Sequence, residues 1–135
     1  MPIKVTIAGG IVLEKCLDSV YFKVDTSDDL DARTTDIGNT IEITGRVDVD
    51  YEPTAGLYSW ALIKPTSANK SDVYRKVEVE ITSNKDNKLI RKLVFPEAFV
   101  VDYLENYSNE DGLGSFTLFL KQKKDNNEVV NVSGS

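Results

Sequence analysis

Asp28, Asp29, Asp31 and Asp36 crowd one polar stretch, Thr26–Asn39, with Arg33 among them. Oxygen-rich loops hold calcium when their ligands fall at fixed offsets between two helices, with a turn glycine and a terminal bidentate glutamate. Here the offsets do not match, Gly38 falls late, no helical pattern flanks the stretch, and Arg33 sits in its middle. We expect no metal and read the segment as a solvated loop or contact arm, since long polar loops in compact domains usually carry contacts or motion. A second group of acids, Glu97, Asp102, Glu105, Glu110 and Asp111, contains the residue type used in pairs for glycoside hydrolysis. Nothing in the spacing singles out a pair, and no source is visible for the raised pKa that one of them would need.

The remaining chemistry-bearing residues are as unpromising. Cys16 is the only cysteine and the chain has no histidine, so a thiolate would lack its usual base. The same absence removes the commonest acid–base group near neutral pH and the commonest metal ligand. Serines and lysines are plentiful, but no spacing marks a catalytic pair. Gly112-Leu113-Gly114 lacks the further glycine and the lysine of phosphate loops, and reads as a turn into the next strand. Lys121-Gln122-Lys123-Lys124 is followed by Asp125 and Glu128, and reads as a charged strand end that guards against stray edge pairing. The expectation is a protein without catalysis and without a cofactor.

Composition agrees. The chain has 135 residues, enough for one domain with its own core, and residues 1–135 are read as a single domain. Sixteen basic residues against 22 acidic ones leave a net charge of −6, which disfavours nucleic-acid binding and anionic membranes. No apolar run approaches the ~20 residues of a membrane span, and the alternating N-terminus is unlike a signal peptide. One cysteine allows no internal disulfide; synthesis and assembly in the cytoplasm are expected.

The elements that must position these residues are strands. Ile3/Val5/Ile7, Val20/Phe22/Val24, Ile41/Ile43/Val47/Val49, Val77/Val79/Ile81 and Phe116/Leu118/Leu120 all alternate with polar neighbours. Period two puts alternate side chains on opposite faces, so each segment predicts a strand with one buried face. Asn84-Lys85-Asp86-Asn87 predicts a hairpin between Val77–Ser83 and Leu89–Phe95, and Asp125-Asn126-Asn127 predicts a last hairpin from Leu113–Lys124 to Val129–Val132. The helical signal is one short segment near Thr66–Val73, after Pro65. The fold class is therefore all-β, mainly antiparallel, a barrel or sandwich with one short helix. Val130 and Val132 belong to a terminal strand that pairs either with a neighbouring chain or within its own sheet.

Several stretches taken together resemble a family of small proteins from clostridia and related bacteria. Asp28-Asp29-Leu30-Asp31-Ala32-Arg33-Thr34-Thr35-Asp36-Ile37-Gly38 matches its DD-x-x-AR-[ST]-TD-[VI]-G pattern. Tyr74-Arg75-Lys76-Val77 matches YRKV, and Phe95-Pro96 with Ala98–Tyr103 matches FP-x-AFVVDY. Gly112, Gly114, Phe116, Thr117 and Leu118 match its last element. That family is similar to haemolysin-coregulated protein (Hcp) and to phage tail-tube proteins. Some relatives carry the label membrane-associated protease, which no catalytic set or membrane segment in this sequence supports.

The resemblance implies a β-barrel subunit, six copies to a ring, with rings stacked into the inner tube of a contractile injection system or phage-tail-like particle. It also implies sheath and baseplate proteins as partners and release as part of a particle. A tube subunit needs strand edges that continue between copies and loops that reach the next ring. On that reading Asp28, Asp31, Arg33, Asp36, Val130 and Val132 are interface candidates. Glu42, Asp48, Glu78 and Glu80 are candidates for a lumen, or equally for an outer solvated face. The competing readings are a monomeric or dimeric barrel that binds a small ligand or peptide, and, third, a hydrolase.

Overall fold

The structure is a computed structural model that describes residues 2–25, 38–110, 112–123 and 130–135. Of the interface candidates, Asp28, Asp31, Arg33 and Asp36 lie outside the described residues.

Among the described residues, eight strands and two helices follow the order β1 (Ile3–Ile7), β2 (Ile11–Leu13), β3 (Leu17–Asp25), β4 (Gly38–Val47), α1 (Ala55–Leu62), α2 (Lys70–Val73), β5 (Arg75–Thr82), β6 (Leu89–Tyr107), β7 (Gly114–Gln122) and β8 (Asn131–Gly134). They form one antiparallel sheet in the order β2-β1-β5-β6-β7-β4-β3, with β8 also paired to β6. The sheet curls so that β1 comes against β3. The period-two residues do what their pattern predicts. Val5, Ile7, Ile41, Ile43, Val77, Val79, Phe116, Leu118 and Leu120 turn inward and are buried, with Leu57 and Trp60 of α1 packed on the same core.

The spine is β6, nineteen residues long. Its first half pairs with β5 from Thr82↔Leu89 to Arg75↔Ala98, and its second half pairs with β7 from Ala98↔Gln122 to Tyr107↔Gly114. Pro96 lies at this crossover. A proline cannot donate to a ladder and is tolerated in strands mainly at edges and bulges. The β5 pairing slips beside it, between Arg75 and Val77, and the N–H of Glu97 is taken by the Gln122 side chain at 3.1 Å. Gln122 is buried for this purpose.

Four expectations change. The strand expected over Leu89–Phe95 does not stop there but runs on to Tyr107. Val49, read as a strand residue, is 97% exposed in the turn after β4. The hairpin expected between β7 and Val129–Val132 is not present among the described residues, which leave out Val129. The last strand is Asn131–Gly134, and it pairs with Arg91–Val94 of β6, taking up the edge that β7 leaves after Gln122. The expected helix shrinks to the single turn Lys70–Val73, and the longer helix is Ala55–Leu62. That helix has no side-chain cap and is held by its tertiary contacts, among them the Trp60 indole N–H donating to the Val73 carbonyl at 2.8 Å.

Candidate assembly surface

Four strands define the most open part of the sheet: the second half of β6, then β7, β4 and β3. Ladders join them over Ala98–Tyr107, Gly114–Gln122, Gly38–Val47 and Leu17–Asp25. Their directions alternate. Among the described residues, no strand pairs with the other edge of β6 beyond Ala98, and none pairs with the outer edge of β3. This four-stranded sheet therefore has two open margins, each presenting a row of backbone N–H and C=O groups.

One face of the sheet covers the core. The other carries Ser19, Tyr21 and Lys23 of β3, Thr40, Glu42, Thr44 and Arg46 of β4, Ser115, Thr117, Phe119 and Lys121 of β7, and Asp102, Leu104 and Asn106 of β6. The register sets them in rows: Tyr21–Glu42–Phe119–Asp102, and Ser19–Thr44–Thr117–Leu104. Hydroxyls are the commonest groups, with charges of both signs interspersed among them. Asp18 pairs with Arg46 at 3.2 Å, and Lys23 with Asp25 at 3.4 Å.

The lumen candidates separate. Glu42 stands on this face, and Asp48 follows the end of β4. Glu78 and Glu80 are on β5, in the other half of the sheet, where Lys76 pairs with Glu78 at 3.0 Å and Lys92 with Glu80 at 3.5 Å. The four acids do not form one negative strip. Of the terminal interface candidates, Val130 is half-buried against the core and Val132 is 54% exposed on β8.

Beside the open margin of β6 runs α1. Tyr58, Ala61 and Leu62 face Val100–Tyr103 across a groove of about 270 Å³. The Tyr58 ring meets Tyr103 edge-on at 5.6 Å, and Tyr103 stacks on Phe116 at 6.4 Å. The Glu105 carboxylate accepts from the hydroxyls of Tyr103 at 2.6 Å and Tyr107 at 2.8 Å, which stiffens the inner face of this strand. Burial and then this bond push the Tyr103 phenol up; for Tyr107 the bond to Glu105 comes first.

A larger groove, about 650 Å³, opens between the turn after β4 and the β6–β7 loop, lined by Val47, Asp48, Glu52, Tyr107 and Leu113 among others. It holds two carboxylates, yet Glu52 is committed elsewhere. Partial burial alone would raise its pKa, but backbone N–H donors of Lys15, Cys16 and Glu14 outweigh that and hold it at about 2. A hydrolytic acid needs the opposite shift. Burial, helped by Glu52, pushes the Cys16 thiol up to about 12, so it is not a nucleophile at neutral pH. Among the described residues no group of three or more acids and cysteine is placed to hold a metal ion.

Sequence reasoning did not find α1, its groove or the Glu52 contact. Leu57, Trp60 and Ala61 have the i, i+3, i+4 spacing that could have marked the helix. Nothing local could have marked Glu52, whose partners are at least 36 residues away.

No protein-family model matches the chain, and no curated protein matches it. Solved structures do. Hcp1 from Flavobacterium johnsoniae superposes with a TM-score of 0.66 at 18% identity, over 100% of this chain and 97% of that one. A chain of the sheath–tube complex of an extracellular contractile injection system, PVC, gives 0.61 at 11% identity, covering 98% and 88%. Hcp1 from E. coli EAEC 042 gives 0.57 at 11% identity, covering 99% of each chain.

Proposed function

We propose that this chain, which has the fold of Hcp1, is a structural subunit whose copies close into rings, six to a ring, that stack as the inner tube of a contractile injection system or phage-tail-like particle. It acts by assembly and performs no catalysis. The observation that carries this reading is the four-stranded sheet with two open margins. Its strands alternate in direction and are even in number, so β3 and the second half of β6 run oppositely. A rotated copy can then lay its β6 antiparallel against β3, and the ladder continues from copy to copy. Such a contact joins two different surfaces, and repeating it either closes a ring or winds a helix. Closure removes every free edge of that sheet.

The face turned away from the core would then line the channel. On this reading the lining is mixed and hydroxyl-rich and includes Glu42, while Glu78 and Glu80 on β5 keep their alternative, an outer solvated face. Asp28, Asp31, Arg33 and Asp36 fall in the sequence between β3 and β4, and on this reading they contact the next ring. Sheath and baseplate proteins are the further partners, and release occurs as part of the particle. No helix among the described residues is long and apolar enough to cross a membrane.

The test is native mass spectrometry and negative-stain microscopy of the full chain, alone at rising concentration and co-expressed with the sheath and baseplate proteins of a contractile injection system. Rings and stacked rings are expected. A monomer under both conditions overturns the reading. The 650 Å³ groove favours a second reading, a binding barrel for a small ligand or peptide. A persistent monomer that retains a ligand would establish that one instead.

A further inference from the structure

Three exposed apolar side chains crowd the open margin of β6: Leu62, 69% exposed, Val101, 51%, and Tyr58, 50%. They rim the groove between α1 and the strand. Apolar side chains beside a row of unpaired backbone groups make a surface prone to indiscriminate pairing unless something covers it. The opposite margin of the same sheet has a matching feature. Val24 shares the parity of Val20 and Phe22, which pack on the core, yet it is 61% exposed and is not among the described residues packed there. On the other face of the same strand end is Lys23, and on the same face of the β6 margin is Asp102, exposed.

We infer that α1 is a shelf for the neighbouring copy: when β3 of one subunit pairs with β6 of the next, Val24 enters the groove between Tyr58, Leu62 and Val101, while Lys23 faces Asp102 across the seam. This rests on the ring reading above and adds to it the residues that choose the partner edge. Backbone pairing alone accepts any strand. A side-chain groove on one face and an opposite-charge pair on the other admit β3 and discriminate against an edge lacking both. The occupant is a second copy of this chain because the complementary features lie on the two margins of one sheet. A self-complementary two-fold contact would instead need both on the same margin.

The test uses Leu62→Asp and Val24→Asp in the full chain. Both side chains are largely exposed, so both variants are expected to keep the circular dichroism and melting temperature of the parent. Each alone is expected to lose the ring and remain monomeric. Mixed one to one, they are expected to give a heterodimer and nothing larger, because the intact shelf of the Val24→Asp copy still takes the intact edge of the Leu62→Asp copy. Native mass spectrometry separates the outcomes. If the parent forms rings and either variant does so equally, the shelf is wrong and the ring reading stands. If the mixture yields no heterodimer, the shelf is also wrong. A parent that never assembles overturns both.

Discussion

The Glu52 carboxylate lies 2.9 Å from the backbone nitrogen of Cys16, and its two oxygens also take the N–H groups of Lys15 at 3.0 Å and Glu14 at 3.3 Å. One side chain thus satisfies the whole turn between β2 and β3 from the far side of the chain. It ties the short β1–β2 hairpin to the segment that leads into α1.

The folded pKa of about 2 lies below the ~4.3 of an unconstrained glutamate. The interaction therefore contributes its full stability above the unfolded value, and that contribution is lost as pH falls from ~4.3 towards 2. Glu52→Gln should cost about 1.5–3 kcal/mol at pH 7, the usual range for hydrogen bonds to a charged group, and towards its lower end because the site is partly exposed. It should also flatten the acid limb of a stability–pH curve measured by urea melts. An unchanged acid limb would show that Glu52 does not carry it.

Cys16 should be silent to thiol reagents in the native protein at pH 8 and react with one equivalent after denaturation. Burial first, and the adjacent Glu52 carboxylate second, hold the thiol protonated, with a pKa of about 12. Prompt native labelling would contradict that packing.

Gly45 should resist substitution where Gly38 tolerates it. A Cβ on Gly45 would stand 2.5 Å from the Cys16 carbonyl oxygen and 2.6 Å from the Phe116 ring, both fixed in the core; one on Gly38 meets nothing within 4 Å. Gly45→Ala is expected to lose about 1–3 kcal/mol, the usual cost of overpacking. Gly38→Ala is expected to be neutral or slightly stabilising through the unfolded chain. Equal melting temperatures for the two variants would contradict the register Gly45↔Phe116.

Thr117→Cys tests which face lines the channel. Thr117 is at the middle of β7, on the face away from the core. In monomer, the new thiol should react with both small and polymer-linked maleimides. In assembled tubes it should react with the small reagent and lose the polymer-linked one. Equal labelling in both states would put this face outside. The silence expected of Cys16 makes the readout clean.

Most strands were legible because one-sided burial forces period two, as in Val77/Val79 and Phe116/Leu118/Leu120. Pairing partners were less so. The sequence around Asp125-Asn126-Asn127 looks like a hairpin turn, yet Asn131–Gly134 pairs with β6, because β6 is long enough to offer the same edge twice. The strand expected to end at Phe95 continues through Pro96, and the slipped pairing opposite it and the Gln122 side chain explain how. α1 left only a weak trace, the spacing of Leu57, Trp60 and Ala61, because the helix is short, its N-cap Thr54 makes no side-chain bond, and it depends on tertiary contacts such as the Trp60 bond to Val73. The tube-like fold was reached through the matched motifs. The candidate assembly surface was not, since open margins exist only once the whole strand order is known.

A cryo-electron microscopy reconstruction of assembled full-length protein bears most directly on how copies join. The account predicts an unbroken antiparallel sheet around the ring, each subunit contributing β6, β7, β4 and β3 in that order, with β3 of one copy hydrogen-bonded to β6 of the next. Rings held together through loops or through β8, with both of those margins still facing solvent, would contradict it.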